Sequence, residues 1–296
     1  MPLPVRRSLL LPSICALALL AGVLGHVARA AAPSTGVLRI VGFADLKGKT
    51  SPCGCSTPKG GLARIAAYLD SLRATPGPVL VLDAGGSYPD VPGRPDLPPF
   101  VLESETRMGV DAVGIAPRDL QFGVGYLLAE SRRARMPLVC SNLLLRATGR
   151  PLAATSLMLE REGVRVGVFA LVGDRFDLGP GRDSLQVVDP ENTAQRMVAD
   201  LRSRGAHVVV LLAQLGRVGA EDVATAVPGI DAVIVGHDAP LYPRGRDAGD
   251  AVLSYAGDQG QHVGHLRFVL SEDRRVLERE AEAITMGPEV RNQGDM

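Results

Sequence analysis

The residues of this chain best suited to chemistry lie in one stretch, Phe43-Ala-Asp-Leu-Lys-Gly-Lys-Thr-Ser-Pro-Cys-Gly-Cys-Ser-Thr-Pro-Lys-Gly-Gly-Leu-Ala-Arg64. It supplies a carboxylate, Asp45, and two thiols, Cys53 and Cys55, with a single glycine between them. A Cys-x-Cys pair has three chemical uses. Both thiolates can hold one soft metal ion, with Gly54 allowing the tight turn. The two can close a small, easily reduced disulfide on each other. Or one of them can bridge to Cys140. Should Cys140 reach the same cleft, three thiolates with Asp45 or His237 nearby would suit one Zn²⁺, Cu(I) or iron ion. The haem-attachment pattern Cys-x-x-Cys-His is absent.

The elements that must position these groups follow from periodicity. An apolar run, Val37–Phe43, reads as a strand, and apolar residues at 62, 65, 66, 69 and 72 have the spacing of an amphipathic helix. The chemical stretch is therefore a strand-to-helix connection, the usual place for ligands in an α/β protein. Further strands are expected at Val79–Leu82, Ala112–Ile115 and Pro137–Asn142, with helices at Leu102–Met108 and Tyr126–Arg135. Residues 88–99 contain five prolines and read as a loop. In the second half, Ser156–Glu160 and Val164–Leu171 read as a strand pair. Pro190–Arg204 reads as a helix capped by Asp189, and Val208–Leu212, Ala232–Val235, Val252–Tyr255 and Val263–Leu270 as strands. A short helix is expected at Glu221–Ala226.

The first 30 of the 296 residues read as an export leader: Arg6 and Arg7, an apolar run Leu9–Leu24, and the small-x-small site Ala28-Arg29-Ala30. The apolar run is too short and wrongly flanked for a membrane span in the mature chain. The Arg6-Arg7 pair partly fits a twin-arginine signal. Cleavage after about Ala30 would deliver the protein to the periplasm or the extracellular space. A linker at 31–36, one domain at 37–282 and a polar tail at 283–296 are expected. Three of the 32 basic residues lie in the leader, leaving 29 against 32 acids, a balance that argues against nucleic acid as a partner. Three cysteines remain after cleavage, an odd number for an oxidising compartment.

The order of these segments resembles the metallophosphoesterase domain of secreted 5′-nucleotidases, in the calcineurin-like superfamily. Gly60-Gly-Leu-Ala-Arg64, Leu82-Asp-Ala-Gly85, Met108-Gly-Val-Asp-Ala112, the strand Pro137–Asn142, and Pro228-Gly-Ile-Asp231 followed by Gly236-His237 carry the likeness. It implies an α/β fold, a four-layer α/β/β/α sandwich with two mixed sheets. It also implies hydrolysis of phosphate esters by two bridged divalent ions. Of the family's metal and catalytic positions, Asp45 and His237 match. Lys47 stands for a His, Gly86 for the bridging Asp, Pro117-Arg118 for Asn-His, Gln214 for a His, and Ala239 for the last His. Pro52-Cys-Gly-Cys-Ser56 resembles a variant among secreted relatives.

With those ligands replaced, a dinuclear Mn, Mg or Zn site is not expected. Two functions remain open. One is an exported protein holding a single metal or a redox centre on the Cys-x-Cys loop, with an exported redox partner. The other is a phosphoesterase acting on nucleotides or other small phosphorylated ligands through a rebuilt site on Asp45, His237 and thiolates. Lys47 and Arg118 could bind an anion or be plain surface charges. Asp83 reads as a turn former. His262 and His265 read as an exposed pair, His207 as a surface residue, and Asp174, Asp177 and Asp183 as a solvated loop.

Overall fold

A computed structural model describes residues 36–90 and 93–290. The expected leader and most of the linker lie outside the described residues. No helix among the described residues is long and apolar enough to cross a membrane.

The chain runs β1 (Gly36–Phe43), α1 (Leu62–Arg73), β2 (Val79–Asp83), α2 (Leu97–Met108), β3 (Ala112–Gly114), α3 (Val124–Ala134), β4 (Leu138–Val139) and β5 (Leu143–Leu145). It continues through β6 (Ser156–Arg161), β7 (Val164–Val172), β8 (Leu185–Val187), α4 (Pro190–Ser203), β9 (Val208–Gln214), α5 (Gly216–Ala226) and β10 (Ala232–Val235). It closes with β11 (Arg246–Ala248), β12 (Ala251–Ser254), β13 (His262–Leu270) and β14 (Val276–Thr285). One six-stranded sheet has the order β14-β13-β1-β2-β3-β4, the other β11-β12-β10-β9-β7-β6, and β5 pairs with β8. Both large sheets are mixed. β1 to β4 are mutually parallel with β13 antiparallel to β1, and β7, β9, β10 and β12 are parallel with antiparallel β6 and β11 at the edges.

Alternation within the strands sets the layers. Leu38 and Ile40 of β1 pack with Val166, Val168, Val210 and Ile234 between the sheets, while Val41 and Phe43 pack with Leu62, Ile65 and Val101 under the helices. In β9, Val208, Val210 and Leu212 face the other sheet, and Val209 and Leu211 face Ala194, Leu201 and Val223 of α4 and α5. Strands buried on both faces read as continuous apolar runs. The result is a four-layer α/β/β/α sandwich: α1–α3, sheet, sheet, α4–α5. The sheets approach closely at Gly42, where a Cβ would stand 2.6 Å from Ile234 Cδ1.

Several boundaries differ from those expected. α2 begins inside the proline-rich stretch, with Pro98 tolerated in the first turn. α5 begins at Gly216 rather than Glu221. The first residues of the expected tail belong to the fold: β14 runs to Thr285, Met286 is fully buried, and its carbonyl accepts from Gly60 N–H at 2.8 Å; residues 291–296 lie outside the described residues. Asp189 does cap α4, accepting from Asn192 N–H at 2.7 Å.

Candidate functional site

The C-terminal ends of strands from both sheets meet at one place. β1 ends at Phe43, β2 at Asp83, β3 at Gly114, β9 at Gln214 and β10 at Val235. The connections beyond them enclose a cavity of about 460 Å³ whose lining includes Asp45, Arg118, Asp177, Gln214, His237 and Asp238. Four non-glycine residues here have left-handed backbones: Asp45 (φ 52°), Lys47 (52°), His237 (66°) and Asp238 (55°). Each such residue costs roughly 1–3 kcal/mol and persists only where the surroundings hold it.

Asp45 is buried. Its backbone N–H donates to Gly85 O at 2.8 Å and its carbonyl accepts from Gln259 N–H at 2.8 Å. Its carboxylate accepts from Asp238 N–H at 3.2 Å and from Gln214 Nε2 at 3.4 Å. Burial pushes its pKa up to about 6, against the opposing pull of the Gln214 hydrogen bond and the Lys47 charge. His237 is half-buried, its ring stacked on Phe176 with centroids 3.5 Å apart and planes 18° apart. Burial lowers its pKa, so the imidazole is neutral at neutral pH and can accept a proton. Arg118 faces the cavity and forms an ion pair with the exposed carboxylate of Asp90.

The loop after β2 is built on buried carboxylates. Asp119 accepts from Gly86 N–H and Ala116 N–H, both at 2.9 Å, and from Tyr88 N–H at 3.2 Å. Asp83 accepts from Gly85 N–H at 2.8 Å, as a turn former should. Ser87 Oγ stands 2.8 Å from Asp83 Oδ2 and 2.7 Å from Glu105 Oε1. A hydroxyl has one hydrogen, so satisfying both contacts requires a proton on one of the two carboxyls. Burial and the neighbouring Asp83 charge raise Glu105 well above the usual range.

Structure and expectation part at the cysteines and at Lys47. Cys53 and Cys55 are bonded to each other, with Cα atoms 5.5 Å apart, while Cys140 is a free thiol, fully buried in the core under the helices. Burial pushes its pKa up to about 12. The three sulfurs are therefore not one ligand set, because Cys140 follows β4 with its side chain in an apolar layer. Lys47 Nζ lies 2.6 Å from Asp238 Oδ1 and 2.9 Å from Asp258 Oδ2, so two carboxylates already match the charge expected to attract an anion. His265 is not exposed: its Nδ1 is 3.0 Å from Tyr68 OH. His207 Nδ1 accepts from Arg165 N–H at 3.0 Å.

The residues at the cavity do not fit the paired ions that the resemblance implies. A Cβ on Gly86, where the bridging carboxylate would start, would overlap Asp45 Oδ1, and Gly86 has φ 85°. Gln214 turns its amide on Asp45 and on Gly85 O, 3.0 Å away. Among the described residues, no three His, Cys, Asp or Glu are grouped to hold a metal. A single ion on thiolates fits no better, since Cys53 and Cys55 have consumed each other.

Sequence reasoning overlooked Phe176, Asp258, Gln214 as a partner of Asp45, and Glu105. Only Glu105 carried a readable signal: it sits on the apolar face of α2 with Val101, Leu102 and Met108.

No family model matches the chain. It is 25% identical over 276 residues to a 2′,3′-cyclic-nucleotide 2′-phosphodiesterase/3′-nucleotidase of Yersinia enterocolitica, covering 77% of this chain and 42% of that protein. A protein of the same name from Salmonella typhimurium is 24% identical over 273 residues, with the same coverage. The chain thus spans less than half the length of these relatives. Among solved structures, a 5′-nucleotidase precursor of Thermus thermophilus superposes with TM-score 0.74 at 22% identity, over 87% of this chain and 56% of that one. The calcineurin-like phosphoesterase YfkN of Bacillus subtilis superposes with TM-score 0.73 at 19% identity, over 88% of this chain and 93% of that one.

Proposed function

We propose that this chain is an exported phosphoesterase of nucleotidase type that binds a nucleotide or a similar phosphate ester in the 460 Å³ cavity. Asp45 and His237 are its acid–base pair. The observation that carries the reading is that the cavity gathers those two side chains with Arg118 at the ends of strands from both sheets. The names of the relatives, nucleotide phosphodiesterases and nucleotidases, support the substrate class.

The roles follow from the local electrostatics. Arg118 can exchange Asp90, a solvent-exposed partner, for a phosphate that matches its fork of donors. Neutral His237, held flat on Phe176, accepts the proton of a water whose oxygen forms the new bond to phosphorus. Asp45, with a pKa near 6, is partly protonated just below neutrality and gives its proton to the leaving alkoxide as the ester bond breaks. Water is consumed, and an alcohol and phosphate are released. No step passes through a metal, because the residues present do not fit one.

Phosphate release from 2′,3′-cyclic, 3′- and 5′-nucleotides by the mature protein, in chelator and in Mn²⁺, tests the proposal. Slow, chelator-resistant turnover is expected, reduced roughly 10²-fold or more by Asp45→Asn or His237→Ala. Turnover that requires two tightly held ions overturns the metal-free roles. Neither binding nor hydrolysis of any of these esters overturns the phosphoesterase reading.

A further inference from the structure

The Cys53–Cys55 bridge takes no part in the chemistry of the cavity, and its surroundings are those of a reactive disulfide. We propose that the loop between β1 and α1 is a dithiol–disulfide exchange centre that accepts two electrons from an external dithiol.

Four observations carry this. Gly54 to Thr57 are exposed, and a Cβ added to Gly54 would meet nothing within 4 Å, so an approaching thiol is unobstructed. The two sulfurs are inequivalent. Cys53 is half-buried and its Sγ accepts from Lys59 N–H at 3.2 Å, while Cys55 is exposed. The base of the loop is fastened independently of the bridge. Cys53 N–H donates to Lys59 O at 2.8 Å, Arg64 donates to Pro58 O at 2.6 Å and to Met286 O at 3.3 Å, and Gly60 N–H donates to Met286 O. Finally, residues 48–69 contain Lys49, Lys59 and Arg64 and no acid, a locally basic segment that favours thiolates. A bridge between residues two apart closes almost the smallest possible loop, so it constrains the unfolded chain least and is poorly suited to be a structural staple.

The inequivalence assigns a direction. An external thiolate attacks the exposed Cys55 Sγ. The S–S bond breaks, and Cys53 leaves as a thiolate that already has the Lys59 N–H as donor. The second thiol of the partner then attacks its own sulfur in the mixed disulfide and releases Cys55. On protonation Cys55 can donate to Thr57 O, 3.4 Å away. In sum, bridge and dithiol become two thiols and the partner's disulfide. Cys140 cannot serve as the internal second thiol because it is buried away from solvent.

The test uses native mature protein treated with reduced dithiothreitol and then, after its removal, with oxidised glutathione, and at each stage acid-quenched, alkylated and digested. Trypsin places both cysteines in the peptide Thr50–Lys59. The expected result is a reversible transition in which this peptide gains two adducts together while Cys140 stays unmodified. With a monothiol, the trapped mixed disulfide is expected on Cys55. A bridge that survives excess reduced dithiothreitol in the native protein overturns the proposal, as do thiols that excess oxidised glutathione leaves unpaired. An adduct on Cys53 overturns the assigned direction. Neither readout involves phosphate release, so the outcome is independent of the cavity's function.

Discussion

A methyl group on Gly86 would collide with Oδ1 of Asp45. The carboxylate that the resemblance places at position 86 is therefore excluded by the position of Asp45, not simply missing. Gly86→Ala should destabilise the fold by about 2 kcal/mol or more, combining the left-handed penalty with the collision. Gly86→Asp should not restore a metal pair. Chemical denaturation and metal analysis of both variants check this. A stable Gly86→Asp protein holding two ions per chain would show that the loop rearranges freely.

The contact of Ser87 with both Asp83 and Glu105 makes stability depend on pH. Burial pushes the Asp83 pKa up to about 7, far above its unfolded value. The folded state then binds more protons than the unfolded state between about pH 4 and about pH 7, so stability falls as pH rises through that window. Asp83→Asn removes the titration. Its carbonyl keeps the Gly85 N–H, and its amide can donate to Ser87, freeing the hydroxyl for Glu105. Denaturation midpoints at about pH 4.5 and about pH 8 should differ less in the variant, with the gain at the higher pH. An equal pH slope in both proteins would place the shared proton elsewhere.

Lys47 lowers the pKa of Asp45 by its charge while pairing with Asp238 and Asp258. Lys47→Met should therefore move the Asp45 titration upward and extend any Asp45-dependent activity to higher pH. The pH profile of kcat/KM reads this directly, and a limb that does not move would remove Asp45 from the acid role. The variant should also be less stable by roughly 1 kcal/mol or less, since the two carboxylates that lose their partner are exposed to solvent by a third or more.

Cys140 is buried, and burial holds its thiol up to about 12. Its alkylation in native protein should occur only through unfolding, so the rate should track global stability and rise with denaturant. Rapid native-state labelling would mean that the layer under the helices opens locally.

What could be read from the chain depended on how local the cause was. β7, β9 and β10 are buried on both faces, and their runs of valine and leucine leave little choice of assignment. β14 was not read as a strand, and its last three residues fell in the expected tail, because it is an edge strand: Leu277, Glu278 and Glu280 face solvent, and no apolar alternation marks it. Glycines 216 and 219 concealed the first turn of α5. At the site, Asp45 and His237 could be found from the motifs that precede them. The two partners of Lys47 lie 191 and 211 residues away, and only the folded chain reveals that its charge is matched. The same holds for Cys140, whose neighbours are set by packing rather than by spacing.

The approach of the two sheets rests on a missing side chain. A Cβ at Gly42 would stand 2.6 Å from Cδ1 and 2.7 Å from Cγ1 of Ile234. Gly42→Ala should then cost about 1–3 kcal/mol by overpacking, and Ile234→Ala about 2–5 kcal/mol by leaving a cavity. Because the added methyl of one occupies space freed by the other, the double variant should be more stable than the sum predicts, by about 0.5–3 kcal/mol. Denaturant midpoints of the four proteins in this cycle measure the coupling. Strict additivity would mean that β1 and β10 separate to admit the methyl. Asp45 and His237, on the connections that leave those two strands, would then be expected to move apart as well.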